Sequence, residues 1–124
     1  AIGNFIRDAL TASEITVGGD GTPVRSYMDQ RDLAHWLTAI LERGSAGQAY
    51  NVGSDAPITI RDLANLVRDT LSPGKPVRIA GSPSAQNFRN RYVPSITKAR
   101  TELGLQLNFT LEQSVRETAR YVQA

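Results

Sequence analysis

Four residues that interrupt regular structure, Gly18, Gly19, Gly21 and Pro23, fall within six positions and separate two apolar runs. The first run, Ile15–Val17, reads as a short strand. The glycines then read as a turn, because glycine enters positive φ at little cost. The second run, Val24–Met28, reads as another strand. Pro23 at its start has no N–H for a ladder and argues against a central place in a sheet. Strand–turn–strand differs from the strand–turn–helix that cradles a dinucleotide pyrophosphate. No G-x-G-x-x-G occurs elsewhere in the chain.

The rest of the chain alternates helical and extended patterns. Asn4–Leu10 reads as a helix with Phe5, Ile6, Ala9 and Leu10 on one side. Asp32 is the candidate cap of a helix to Arg43, with Leu33, Trp36, Leu37, Ile40 and Leu41 as one apolar stripe and Gly44 as its stop. Gln48–Val52 reads as a strand. Thr59 and Asp62 resemble a capping box that opens a helix to Leu71, faced by Ile60, Leu63, Ala64, Val67 and Leu71. Ser72-Pro73-Gly74 ends it, Pro76–Ala80 reads as a strand, and Gly81–Asn90 reads as a loop. Ser95 is a candidate cap for a helix over Ile96–Leu103, stopped by Gly104. Thr110 and Gln113 form a capping pair for a last helix to Val122, faced by Leu111, Val115, Ala119 and Val122. The predicted class is mixed α/β, with several short strands and four or five helices, and not a self-contained doubly wound sheet.

The totals exclude several functions. At 124 residues, 40% hydrophobic and 21% charged, the chain supports one domain with a modest core. A formal charge of +2 permits an anionic ligand without arguing for nucleic acid. Aromatics are 6% and are not interleaved with basic residues, as a stacking platform for single strands requires. There is no cysteine, so no disulfide and no thiolate metal site. His35 is the single histidine, which leaves no His-based metal cluster and no serine triad within the chain. His35, Arg116 and Arg120 read as solvated, and Trp36 as core. No apolar run has the length of a membrane span, and Ala1–Leu10 is not a signal peptide; together these point to the cytoplasm. The chain begins almost inside its first helix, which suggests a segment of something longer.

Five blocks, in order, carry a family resemblance that runs from Asn4 to about Val122. Asn4-Phe5-Ile6 with Ala9-Leu10 is the first. The second is Ile15-Thr16-Val17 followed by Gly19-Asp20-Gly21, Arg25-Ser26-Tyr27 and Asp32-Leu33-Ala34. Tyr50-Asn51-Val52-Gly53-Ser54, Arg89-Asn90-Arg91-Tyr92-Val93-Pro94, and Lys98-Ala99 with Glu102-Leu103-Gly104 complete the set. They resemble the C-terminal substrate-binding segment of extended short-chain dehydrogenase/reductases, the NAD-dependent epimerase/dehydratase family, in particular dTDP-glucose dehydratase-like and UDP-glucuronate decarboxylase-like proteins.

The resemblance implies a small mixed α/β substrate-binding lobe over residues 1–124, lacking the Rossmann domain. It implies that the edge at Thr16 and Val17 contacts the nucleobase, where relatives often carry an aromatic at the position of Gly18. It places Arg25 on the substrate's diphosphate and Asn51 near the nucleotide. It puts either Arg89 or Arg91 on the same diphosphate from the opposite loop. The chemistry suits the residue type: a guanidinium fork matches phosphate oxygens in pairs and stays charged. The family's Tyr-x-x-x-Lys pair is missing, since Tyr27 is followed at that distance by Arg31, Tyr50 by Ser54 and Tyr92 by Ile96. This segment is therefore expected to bind no cofactor and to catalyse nothing alone, with NAD held by the full-length parent. Its expected partners are a nucleotide-diphosphate sugar and the missing N-terminal Rossmann lobe, with no membrane and no nucleic acid. A second copy is a further partner, met through apolar surface left bare.

Without the resemblance, Arg25 reads equally as a strand-edge charge paired with Asp29 or Asp32. Asn51 then bonds loop backbone, and Arg89 and Arg91 are solvated. The competing function is a freestanding, non-catalytic module for nucleotides or other phosphorylated metabolites.

Overall fold

The computed structural model describes residues 1–83 and 90–123. Its elements are α1 (Ile2–Thr11), β1 (Ile15–Val17), β2 (Val24–Arg25), α2 (Gln30–Arg43), β3 (Ile58–Thr59), α3 (Ile60–Leu71), β4 (Val77–Ile79), α4 (Thr97–Leu103) and α5 (Leu111–Gln123). The mixed α/β reading holds, with five helices and four short strands among the described residues.

Two apolar clusters organise the chain. In the larger, α1, α3 and α5 pack on the parallel pair β1–β4, in which Ile15 faces Val77 and Val17 faces Ile79. Phe5, Ile6, Ile15, Val17, Leu63, Val67 and Val115 are buried there, each worth about 1.5–3 kcal/mol of transfer free energy. In the smaller, Trp36 and Ala39 of α2 meet Ile96, Ala99, Leu103 and Leu105. The indole N–H of Trp36 donates to the Gln106 carbonyl at 2.9 Å, so its polar end is satisfied inside the core.

The capping pairs form as their sequences require. Thr59 Oγ1 accepts the Asp62 N–H at 3.0 Å. Thr110 and Gln113 bond reciprocally, at 2.8 and 3.1 Å, satisfying two N–H groups at the start of α5. Gly104 closes α4 in the left-handed region at φ 64°.

Several expectations are corrected. Asp29, not Asp32, caps α2, its carboxylate accepting the Arg31 N–H at 2.8 Å. The expected stripe of α2 is its inner face only in part: Trp36 is buried and Ile40 packs on the smaller cluster, but Leu33, Leu37 and Leu41 are 39, 52 and 86% exposed, and Asp32 and Ala39 are buried instead. Val24–Met28 forms a strand only over Val24–Arg25. That strand belongs to a two-stranded sheet with β3. Val24 pairs with Thr59 on one side and bridges to Arg91 on the other, while Pro23 stays outside and offers its carbonyl to the Ile60 N–H. Of the turn glycines only Gly21 has positive φ, at 80°. Gln48–Val52 forms no strand, because no described segment pairs with it. Ile96, without a side-chain cap, precedes α4 in place of Ser95, and Val122 is exposed on α5.

Candidate functional site

The turn between β1 and β2 is built by Asp20. Its Oδ1 accepts the Thr22 N–H at 3.0 Å and the Thr22 hydroxyl at 2.7 Å, an Asx-type turn. The turn is fixed to the start of α3, where the Arg61 N–H donates to the Gly21 carbonyl at 3.0 Å. At Gly21 a side chain would meet Arg61 Cβ at 3.0 Å, so both φ and space call for glycine.

This turn and α1 enclose a cleft of about 230 Å³, walled by Asn4, Thr16, Val17, Gly18, Pro23 and Ile60 among others. The Thr16 N–H is held by Asp8 Oδ2 at 3.2 Å, and Val17 is buried. Gly18 and Gly19 have no atom within 4 Å of where a Cβ would stand, so the wall is open at those residues. Thr16 and Val17 are the expected site residues in its lining; Asn4, which opens the Asn4-Phe5-Ile6 block, lines it as a further polar side chain.

Just beyond Pro23, β2 carries Arg25 against the segment that follows the long loop. The Val24 N–H donates to the Asn90 carbonyl at 2.8 Å, and the Tyr92 N–H to the Val24 carbonyl at 2.9 Å. The Arg25 guanidinium lies across this ladder. Its Nη1 donates to the Val24 carbonyl at 2.8 Å and the Asn90 carbonyl at 3.2 Å, and its Nη2 to Asn90 Oδ1 at 2.7 Å. Neither Asp29 nor Asp32 pairs with it. Asp29 is taken by Arg31 at 2.8 Å and by the Ser114 hydroxyl at 2.6 Å. Asp32 accepts the Asn108 and Phe109 N–H groups, each at 3.1 Å. The side-chain bond from Arg31 holds the Asp29 carboxyl well below the usual carboxylate range. Burial pushes the Tyr27 phenol up, and the positive charge of Arg25 partly opposes that shift.

Arg91, bridged to Val24, is exposed, and its guanidinium has no partner among the described residues. Arg89 lies outside the described residues. Asn51 is apart from the cluster and exposed; its amide donates to the Ser95 carbonyl at 3.0 Å, which ties the 92–95 stretch to the 50–53 stretch. The structure thus brings Arg25 and Arg91 to adjacent strands, puts Thr16 and Val17 in the neighbouring cleft, and gives Asn51 a backbone contact. A larger hollow of about 410 Å³ lies between α1, α5 and residues 27–31, and none of the described site residues lines it.

Among the described residues no group of three or more acidic or histidine side chains is placed to hold a metal, and no helix is long and apolar enough to cross a membrane. The Gly18–Gly21 turn runs into β2 rather than a helix. It does not make the cradle that a dinucleotide pyrophosphate needs.

Residues 1–53 match the model of the NAD-dependent epimerase/dehydratase family. The chain is a relative of that family. UDP-glucuronic acid decarboxylase 4 of Arabidopsis thaliana is 31% identical over 114 residues, covering 92% of this chain and 25% of the relative. The chain spans about a quarter of the length of the curated decarboxylases it matches. Two solved structures share the fold. UDP-glucose 4-epimerase of Thermotoga maritima, determined with UDP-glucose, superposes with a TM-score of 0.83 at 24% identity, over 98% of this chain and 38% of that one. dTDP-glucose 4,6-dehydratase of Bacillus anthracis, determined with NAD, superposes with a TM-score of 0.82 at 22% identity, over 98% and 38%.

Proposed function

We propose that residues 1–124 form the C-terminal substrate-binding lobe of an NAD-dependent sugar-nucleotide dehydratase or epimerase, and that this lobe holds the nucleotide diphosphate. The base lies along Thr16 and Val17 in the cleft. Arg25 pairs with the diphosphate, and Arg91 or Arg89 completes the clamp. Asn51 holds the 92–95 stretch that continues from Arg91. NAD and the proton-transferring groups belong to the rest of the protein. The lobe's part in catalysis is binding energy drawn from groups remote from the reacting carbon, which positions the sugar.

The observation that carries this reading is the Arg25 guanidinium. It rests on the residue next to Arg91, while its own strand begins one residue beyond the cleft wall at Pro23. The substrates for which the relatives are named, UDP-glucuronic acid and dTDP-glucose, support the same ligand class.

The rest of the protein covers α2 in this reading. Its leucines are exposed, and farther along the chain Tyr50, Asn51 and Val52 make no backbone hydrogen bond among the described residues. A bare apolar helix face followed by an unpaired extended segment suits a helix–strand unit that adds to the edge of another sheet.

The test is Arg25→Ala in the intact protein, titrated with UDP-glucose and dTDP-glucose. The expected result is a rise of about tenfold or more in Kd, the worth of a charge-assisted pair. Unchanged Kd and KM overturn the reading. Full-strength binding by residues 1–124 alone would instead favour a freestanding module.

A further inference from the structure

Arg25 is half-buried and, among the described residues, is held by one other side chain, Asn90. The two groups are 65 residues apart in sequence. Asn90 meets the guanidinium twice, with its carbonyl on Nη1 at 3.2 Å and its Oδ1 on Nη2 at 2.7 Å. The same carbonyl accepts the Val24 N–H at 2.8 Å, so the backbone of Asn90 is registered on β2 whatever its side chain. An arginine has five N–H donors. Three acceptors are in place here, Val24 O, Asn90 O and Asn90 Oδ1, which leaves donors for a two-point contact with an anion.

The chemical character of this holder matters as much as its position. Every acceptor on Arg25 among the described residues is a neutral amide oxygen. A carboxylate would hold the fork as well and would also neutralise it, which weakens its hold on a phosphate. The three carboxylates nearest in sequence are engaged elsewhere, Asp20 by Thr22, Asp29 by Arg31 and Ser114, and Asp32 by the 108–109 backbone. Among the described residues Arg25 is therefore oriented without being ion-paired.

We propose that Asn90 is a positioning residue for Arg25: it aims the guanidinium fork at the diphosphate while leaving its charge uncompensated. This rests on the reading of Arg25 as the diphosphate ligand. Asn90→Ala removes the side-chain bond and leaves the backbone ladder. Asn90→Asp keeps the bond and adds the competing charge.

The experiment titrates UDP-glucose and dTDP-glucose into the intact protein, carrying each substitution, at two or more salt concentrations. Asn90→Ala is expected to raise Kd several-fold and to keep the wild-type dependence on salt. Asn90→Asp is expected to raise it by about tenfold or more and to flatten that dependence, because the attraction that salt screens has been cancelled. With Arg25→Ala in the background, either change at position 90 should add nothing, since both act through one side chain. Wild-type affinity in both position-90 variants overturns the inference while Arg25→Ala still weakens binding. So does an effect of equal size with and without Arg25, which would mark Asn90 as merely structural. If Arg25→Ala has no effect, or the wild type binds neither probe, the parent reading itself fails. Should Asn90→Asp not fold, the cycle of Asn90→Ala with Arg25→Ala decides the matter alone.

Discussion

Asp32 gives the sharpest test of the packing, because two readings of it predict different numbers. As an ordinary helix cap, its loss would cost about 1 kcal/mol. In the structure it is 1% exposed and lies inside the first turn of α2. Both its oxygens accept the Asn108 N–H, and Oδ2 also accepts the Phe109 N–H, all at 3.1 Å. It therefore fastens α2 to the approach of α5. Hydrogen bonds to a charged group contribute about 1.5–3 kcal/mol each, and a stranded buried donor costs about 1–3 kcal/mol. Asn108 is exposed, so water can replace part of its loss, whereas Phe109 is half-buried. Asp32→Ala is then expected to destabilise the chain by about 3–4 kcal/mol, which lowers Tm by roughly 10–15 °C at this size. Asp32→Asn keeps one acceptor and turns an amide against the other donors, and should lose about 2 kcal/mol. Urea unfolding followed by circular dichroism measures both. A loss of 1 kcal/mol or less for Asp32→Ala, with unchanged m, would refute the account.

Three further outcomes follow from the same geometry. Gly81→Ala should destabilise by about 2 kcal/mol or more, because its Cβ would lie 2.5 Å from the Gly19 carbonyl carbon, a backbone atom that cannot turn aside; an unchanged urea midpoint contradicts this. Gly18→Tyr should leave stability within about 0.5 kcal/mol, since the position is open and its φ is not positive. On the proposed function it should also tighten UDP-glucose binding several-fold by stacking, read by calorimetry. Asp29 has a folded pKa held below its unfolded value of about 3.9. Its contribution is thus complete above about pH 4 and is lost as pH falls from there toward the depressed folded value. Urea midpoints between pH 6 and 2.5 should fall more steeply for the wild type than for Asp29→Asn, and parallel curves would dismiss the Arg31 pairing as a source of stability.

What the sequence disclosed depended on whether an element answers to local or distant partners. α3 and α5 are legible because the capping pair and the apolar period lie within each segment itself. The inner face of α2 was misread for a definite reason. Its buried set contains a carboxylate, Asp32, whose partners lie at 108 and 109, while leucine, the better hydrophobic signal, occupies the outer face. Gln48–Val52 has a strand's composition but no ladder, since composition does not supply the neighbouring strand. β3, at two residues, is too short to carry an alternating pattern. In the candidate site Arg25 was visible from its motif, whereas Asn90 was not. An asparagine in a loop carries no signal, and only the ladder between Val24 and residues 90–92 brings it to the guanidinium.

That ladder has a consequence for how the site can vary. Gly81 is bound to Gly19, and Asn90 to Val24, by backbone hydrogen bonds alone. Both ends of the intervening span are thus moored to one short stretch of chain by groups that every residue type except proline possesses. Insertions or deletions between the moorings would leave the scaffold's register intact. A lengthened span costs little in closure entropy, so chain length here can diverge without a new fold.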